Sequence, residues 1–92
     1  MWHVYILECE DGYLYTGVTQ NLERRFQEHI SARGARFTKC SQPKSIIYSE
    51  VFGTEILARQ RESQIKRWSR AKKQALAEGK LERLRELSMS KD

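Results

Sequence analysis

Tyr5, Tyr15, Arg25, His29 and Glu62 are of the types that move protons, bind cations or hold phosphates. Glu62 lies four residues after Ala58, three before Ile65 and six before Trp68, so on a helix it projects from or beside an apolar stripe. An unpaired carboxylate there is costly, and the cost falls if it binds a cation or lines a cleft. Pairing with Arg59 or Lys66 at the helix border is the structural alternative. Glu55, earlier on the same stretch, suits the first turn, where the helix dipole favours an acid.

Arg24 and Arg25 are adjacent, so on a helix they point about 100° apart. Arg25 falls on the Leu22/His29 side, which lets it enter a pocket while Arg24 meets solvent or a phosphate backbone. A guanidinium stays charged and presents a rigid fork of donors, which suits a pentacovalent phosphorus transition state. A surface salt bridge is the other reading. Tyr5, Tyr13 and Tyr15 can each be sheet-face aromatics. A phenol acts as a base only beside water held near a cation, because its ordinary pKa of about 10 leaves little phenolate at neutrality. His29, four residues after Arg25, is placed to orient a tyrosine or a phosphate, or to finish the helix surface.

These side chains need elements to carry them. Val4 to Leu7 and Tyr13 to Val18 are rich in β-branched and aromatic residues, and Asp11-Gly12 between them is a hairpin signal. Alternation puts Tyr5 and Leu7 on one face of the first strand, and Tyr13, Tyr15 and Gly17 on one face of the second. Thr19 or Asn21 can cap a helix reaching about Ala32, with Leu22, Phe26, His29 and Ile30 at helical spacing. Residues 33 to 43 break that periodicity and read as a basic loop. Ser45 to Phe52 reads as a third strand covered on both sides. A helix follows from a Thr54 cap to about Arg70, with Leu57, Ala58, Ile65 and Trp68 inward. Shorter segments follow at Ala71 to Ala77 and, beyond Gly79, at Lys80 to Leu87. The expected fold is α/β (α+β): a small three-stranded antiparallel sheet flanked by helices, order ββαβαα. We expect a single domain over residues 1–87 and a disordered tail over 88–92.

Composition narrows the partners. The chain has 92 residues, a formal net charge of +5 and a 39% hydrophobic fraction, which fits one modest core. Residues 1–18 carry three acids and no Lys or Arg, whereas 19–44 hold six basic groups against two acids and 53–73 seven against two. Two cationic blocks of this kind favour a polyanion and make its binding salt-sensitive. A solvated basic face is the plain alternative. Cys9 and Cys40 are the only cysteines, and no CxxC or Cys/His cluster is present to hold structural zinc. The acidic amino terminus is wrong for a signal peptide, and no apolar run approaches a membrane span, so a cytoplasmic location is expected. The scattered glycines make no nucleotide-binding loop.

The order of motifs adds a resemblance. His3-Val4-Tyr5, then Tyr15-Thr16-Gly17, then Arg25 and His29, resembles the signature of the GIY-YIG nuclease superfamily. Leu14 to Thr19 and Asn21 to His29 look especially like the small stand-alone bacterial UPF0213 group, and Gly34 to Thr38 and Ala58 to Lys66 match its later stretches. The sequence is also similar to the nuclease domain of the eukaryotic structure-specific endonuclease that acts on branched DNA. The likeness covers about residues 2 to 75.

This resemblance implies a metal-dependent endonuclease that hydrolyses DNA phosphodiesters, by nicking or structure-selective cleavage, in DNA repair or recombination. It implies 5′-phosphate and 3′-hydroxyl products. Tyr5 would accept the proton of the attacking water, its pKa lowered by nearby cationic groups, and Tyr15 would support water or phosphate. Gly17 would permit the close turn into the helix. Arg25 would be the catalytic arginine, His29 a supporting residue, and Glu62 the single carboxylate ligand of one Mg²⁺ or Mn²⁺. Arg36 and Lys39 would guide the phosphate backbone, with Arg24, Lys66 and Arg67 as further nucleic-acid contacts. The partner would be DNA, branched or single-stranded, with RNA also open and no membrane, and the protein a monomer or weak dimer. His3 and Thr16 replace the nominal glycine and isoleucine, and Asn21 lies too early to be the late asparagine of many members. A non-catalytic nucleic-acid-binding domain and a protein-binding scaffold are the rival readings.

Overall fold

The computed structural model describes residues 1–32 and 42–89, so Arg36 and Lys39 lie outside the described residues. Three strands, β1 (Trp2–Cys9), β2 (Leu14–Thr19) and β3 (Pro43–Phe52), form one antiparallel sheet in the order β2-β1-β3. Helix α1 (Leu22–Ala32) separates β2 from β3, and α2 (Glu55–Lys66), α3 (Arg70–Ala77) and α4 (Leu81–Met89) follow. The order is therefore ββαβααα, one helix more than ββαβαα. Among the described residues no helix is long and apolar enough to cross a membrane.

Side-chain alternation sends the central strand to two cores. Val4 and Ile6 face Leu14, Val18, Ala58, Ile65 and Leu76. Tyr5, Leu7 and Cys9 face the other way, toward Tyr15, Leu22, Phe26 and Ile46. Helix α1 thus covers one face of the sheet and α2 the other, so β1 is fully buried from Val4 through Leu7. Burying each of its aliphatic side chains contributes about 1.5–3 kcal/mol. The hairpin closes through Gly12, whose φ of +90° is easy for glycine, and Asp11 Oδ1 accepts the Tyr13 N–H at 3.1 Å.

Local chemistry sets the helix limits. Asn21, not Thr19, caps α1: its Oδ1 accepts the Arg24 N–H at 2.9 Å. Thr54 caps α2 and Ser69 caps α3, with their hydroxyls accepting from the N–H groups of Leu57 and Lys72. The helix expected from Thr54 to about Arg70 ends earlier, at Lys66, because Ser69 starts a new cap, and the segment expected at Ala71 to Ala77 is α3. Helix α3 stops at Gly79, where a positive φ and the bonds Gly79 N–H to Leu76 O and Lys80 N–H to Ala75 O satisfy its last carbonyls. Helix α4 continues through Ser88 and Met89, residues read from sequence as tail. Leu57 is 51% exposed rather than inward, and the buried stripe of α2 is Ala58, Glu62 and Ile65. Trp68 is half-buried, with Arg61 and Lys72 over its ring.

Candidate active site

A glycine in the middle of a strand marks a place where something comes close. Gly17 pairs with Tyr5 across the β1–β2 ladder, and a Cβ built on it would lie 2.6 Å from the Tyr5 hydroxyl oxygen. The Tyr5 ring therefore lies across Gly17, on the edge strand of the sheet. Gly17 is within β2 and does not form a turn into α1, so its role is to make room for a phenol.

Helix α1 delivers the partners of that phenol. His29 is buried and its Nε2 lies 2.9 Å from the Tyr5 hydroxyl. Tyr15 closes the group, its ring edge-on to His29 with centroids 5.1 Å apart and tilted to Tyr5 at 6.2 Å. Arg25, one turn before His29, has its Nε 3.0 Å from Glu28 Oε1 and remains about a third exposed. Arg24 shares Glu28 at 3.7 Å and is mostly exposed.

The protonation of the pair corrects one expectation. Burial, and then Tyr15, push the Tyr5 hydroxyl above its ordinary pKa of 10.0; Arg25 opposes them and Glu62 adds to the rise. The cation beside Tyr5 thus loses to desolvation, and the lowered pKa expected of this phenol is not found. Burial, and then the Arg25 charge, lower His29 below its ordinary 6.5, with Glu28 opposing. Neutral phenol and neutral imidazole face each other.

Glu62 arrives from α2, which packs on the opposite face of the sheet from Tyr5. Its charge nevertheless acts on the Tyr5 hydroxyl. Glu62 is 9% exposed, with Lys66 Nζ at 3.1 Å and Arg59 Nη1 at 3.6 Å from its carboxylate, so both border pairings read from the sequence are formed. Both cations are more than half exposed. Among the described residues no group of three or more His, Cys, Asp or Glu side chains forms a metal cage. A single hard oxygen donor suits Mg²⁺ or Mn²⁺ whose other ligands are water and phosphate oxygens; it does not suit an all-protein site. Arg67 is exposed at the end of α2.

One network escaped the sequence altogether. Arg61 on α2 makes a forked contact with Glu50 on β3 at 2.9–3.2 Å, and the Tyr48 hydroxyl donates to the same carboxylate. Nothing in the spacing of residues 50 and 61 signals that pairing.

A three-stranded antiparallel sheet between helices, with phenol, imidazole and guanidinium gathered on one face, defines an α+β domain with a polar cluster built on its sheet. The GIY-YIG catalytic domain matches residues 1–75, and the chain belongs to the GIY-YIG family. It is 46% identical over 76 residues to a UPF0213 protein of Haloquadratum walsbyi, covering 83% of this chain and 85% of the relative. It is 45% identical over 83 residues to a UPF0213 protein of Syntrophus aciditrophicus, covering 89% and 95%. Among solved structures it resembles the UPF0213 protein from Bacillus halodurans, with a TM-score of 0.54, 38% identity and coverage of 85% and 84%. It also resembles a protein from E. faecalis, with a TM-score of 0.57, 35% identity and coverage of 86% and 85%.

Proposed function

We propose that the protein is a metal-dependent endonuclease that hydrolyses DNA phosphodiesters one strand at a time, in DNA repair or recombination. The observation that carries this reading is the hydrogen bond between the Tyr5 hydroxyl and His29 Nε2 beside Arg25, within a GIY-YIG domain. A phenol held above its ordinary pKa is a poor store of negative charge. It becomes a usable base if its own proton leaves as it takes one up. His29, kept neutral, offers Nε2 as that acceptor when Nδ1 carries the ring proton.

In the in-line reaction the water oxygen bonds to phosphorus and the bond to the 3′ oxygen breaks. The water proton passes to Tyr5 while the Tyr5 proton passes to His29; the leaving 3′ oxygen takes a proton from a second, solvent water, and the hydroxide so formed is neutralised by the proton that His29 then releases to solvent. Arg25 holds the equatorial oxygens of the phosphate as charge builds on them. Tyr15 keeps the Tyr5 and His29 rings in register. Glu62 would hold the divalent ion, Mg²⁺ or Mn²⁺, which when bound supplies charge neutralisation at the phosphate. Arg24, Lys66 and Arg67 contact flanking phosphates.

The two ion pairs of Glu62 favour a second reading, a nucleic-acid-binding domain in which this acid serves structure alone. Incubating wild type, Glu62→Ala and Arg25→Ala with labelled flap, fork, duplex and single-stranded DNA separates them. With Mg²⁺ or Mn²⁺ wild type should cleave, chelator should abolish cleavage, and each variant should lose about 100-fold or more while remaining folded. Wild type that binds but never cleaves, or variants that cleave at its rate, would overturn the nuclease reading.

A further inference from the structure

Tyr13, the aromatic nearest the hairpin turn, is 39% exposed although its neighbour Leu14 is buried. Its backbone is fixed: Tyr13 O accepts the Cys9 N–H at 3.0 Å and its own N–H donates to Asp11. A rigidly mounted, accessible ring loses little entropy on stacking. Together with Leu14, Arg70 and Lys73 it lines a hollow of about 210 Å³. That is below the roughly 300 Å³ at which pockets take drug-sized ligands, and it suits one flat ring.

The two cations of this hollow are positioned from α3. Arg70 donates from Nε to Gly12 O at 2.9 Å, a bond spanning 58 residues that pins the guanidinium over the turn. Lys73 lies three residues on, hence on the same side of the helix. Among the described residues neither Arg70 nor Lys73 makes an ion pair with a carboxylate. Burial, and then the charge of Lys66, lower the Lys73 ammonium below its ordinary pKa, so holding this cation has a cost that an anion would offset. Lys66 also contacts Glu62 at 3.1 Å. Lys66 thus bears on both the candidate catalytic carboxylate and Lys73, and Lys73 lines the hollow with Arg70 and Tyr13.

We infer that this hollow is a subsite for one unpaired nucleotide of the strand being cut, its base stacked on Tyr13 and its phosphate held by Lys73 and Arg70. The inference rests on the nuclease reading and deepens it. A base inside a duplex has both faces covered, so only an unpaired nucleotide can use an aromatic platform beside a phosphate clamp.

Binding measured in chelator, where no cleavage is expected, tests the subsite apart from the chemistry. Fluorescence anisotropy would compare wild type, Tyr13→Ala, Tyr13→Phe and Lys73→Ala on labelled oligo-dT, oligo-rU and duplex DNA, with Lys80→Ala as an exposed control. Tyr13→Ala should weaken single-strand binding about tenfold with little change on duplex, and Tyr13→Phe should restore it, because stacking needs the ring and not the hydroxyl. Lys73→Ala should weaken single-strand binding, and Lys80→Ala should not. The two oligonucleotides tell which sugar the strand carries. Wild-type affinity in Tyr13→Ala, or equal losses on duplex and single strand, would overturn the subsite. Tyr13-dependent binding without wild-type cleavage in either Mg²⁺ or Mn²⁺ would overturn the nuclease reading and leave the subsite standing. Cleavage with Tyr13-independent binding would do the reverse.

Discussion

Tyr5 and His29 share a proton across 2.9 Å, and their surroundings decide where it rests. Burial disfavours the charged form of each, so the pair sits neutral, with the proton on the phenol in the arrangement proposed above. For His29 the folded pKa lies below the unfolded 6.5, so between the two values the unfolded chain binds more protons and stability rises with pH. Its contribution is fully present above 6.5 and is lost as pH falls through the folded value. We expect the His29 ring to titrate below 6.5 by NMR, and cleavage to persist below pH 6.5 before failing. Urea denaturation should show stability falling over the same interval. A ring titrating above 6.5 would contradict a neutral acceptor for the Tyr5 proton.

Strand pairing brings Tyr5 to Gly17, and helix phase brings His29 and Arg25 to Tyr5. The ladder therefore has a place where only glycine fits. Gly17→Ala sets a methyl 2.6 Å from the Tyr5 oxygen and 2.7 Å from its ring, which must move away from His29. We expect a loss of about 1–3 kcal/mol in chemical denaturation. Cleavage should fall more than tenfold even where the variant is fully folded. Gly53→Ala, which meets nothing within 4 Å, is the control and should leave cleavage unchanged. On the other face the Glu50–Arg61 contact ties β3 to α2. Because α2 carries Glu62, that tie holds the carboxylate in its position relative to the sheet.

Across the whole molecule a net charge of +5 is gathered into basic segments, and Lys66, Lys73 and Arg70 continue it past Glu62. Each phosphate neutralised on a single strand contributes a slope of about −0.7 to the dependence of log affinity on log salt. With about three such contacts, a fourfold rise in salt should weaken oligo-dT binding about 20-fold. Titrations at several salt concentrations give the slope directly, and Lys73→Ala should reduce its magnitude. A slope near zero would show that stacking alone holds the strand.

Features that depend on near neighbours can be read from the chain alone. Alternation in Val4 to Leu7, the Asp11-Gly12 turn, the Thr54 cap and the helical spacing of Arg25 and His29 are written within a few residues, and all were legible. So was the odd placement of Glu62 in an apolar stripe. Features that depend on burial and on partners far along the chain emerge with the folded molecule. The Tyr5–His29 bond spans 24 residues and the Arg70–Gly12 bond 58, and no local period encodes either. Leu57 reads as inward because its spacing allows it, yet packing selected Ala58, Glu62 and Ile65 for the sheet and left Leu57 in solvent. The direction of the Tyr5 pKa followed the same rule. A neighbouring arginine can be guessed from sequence, but the desolvation that outweighs it exists only once the sheet and α1 have closed over the phenol.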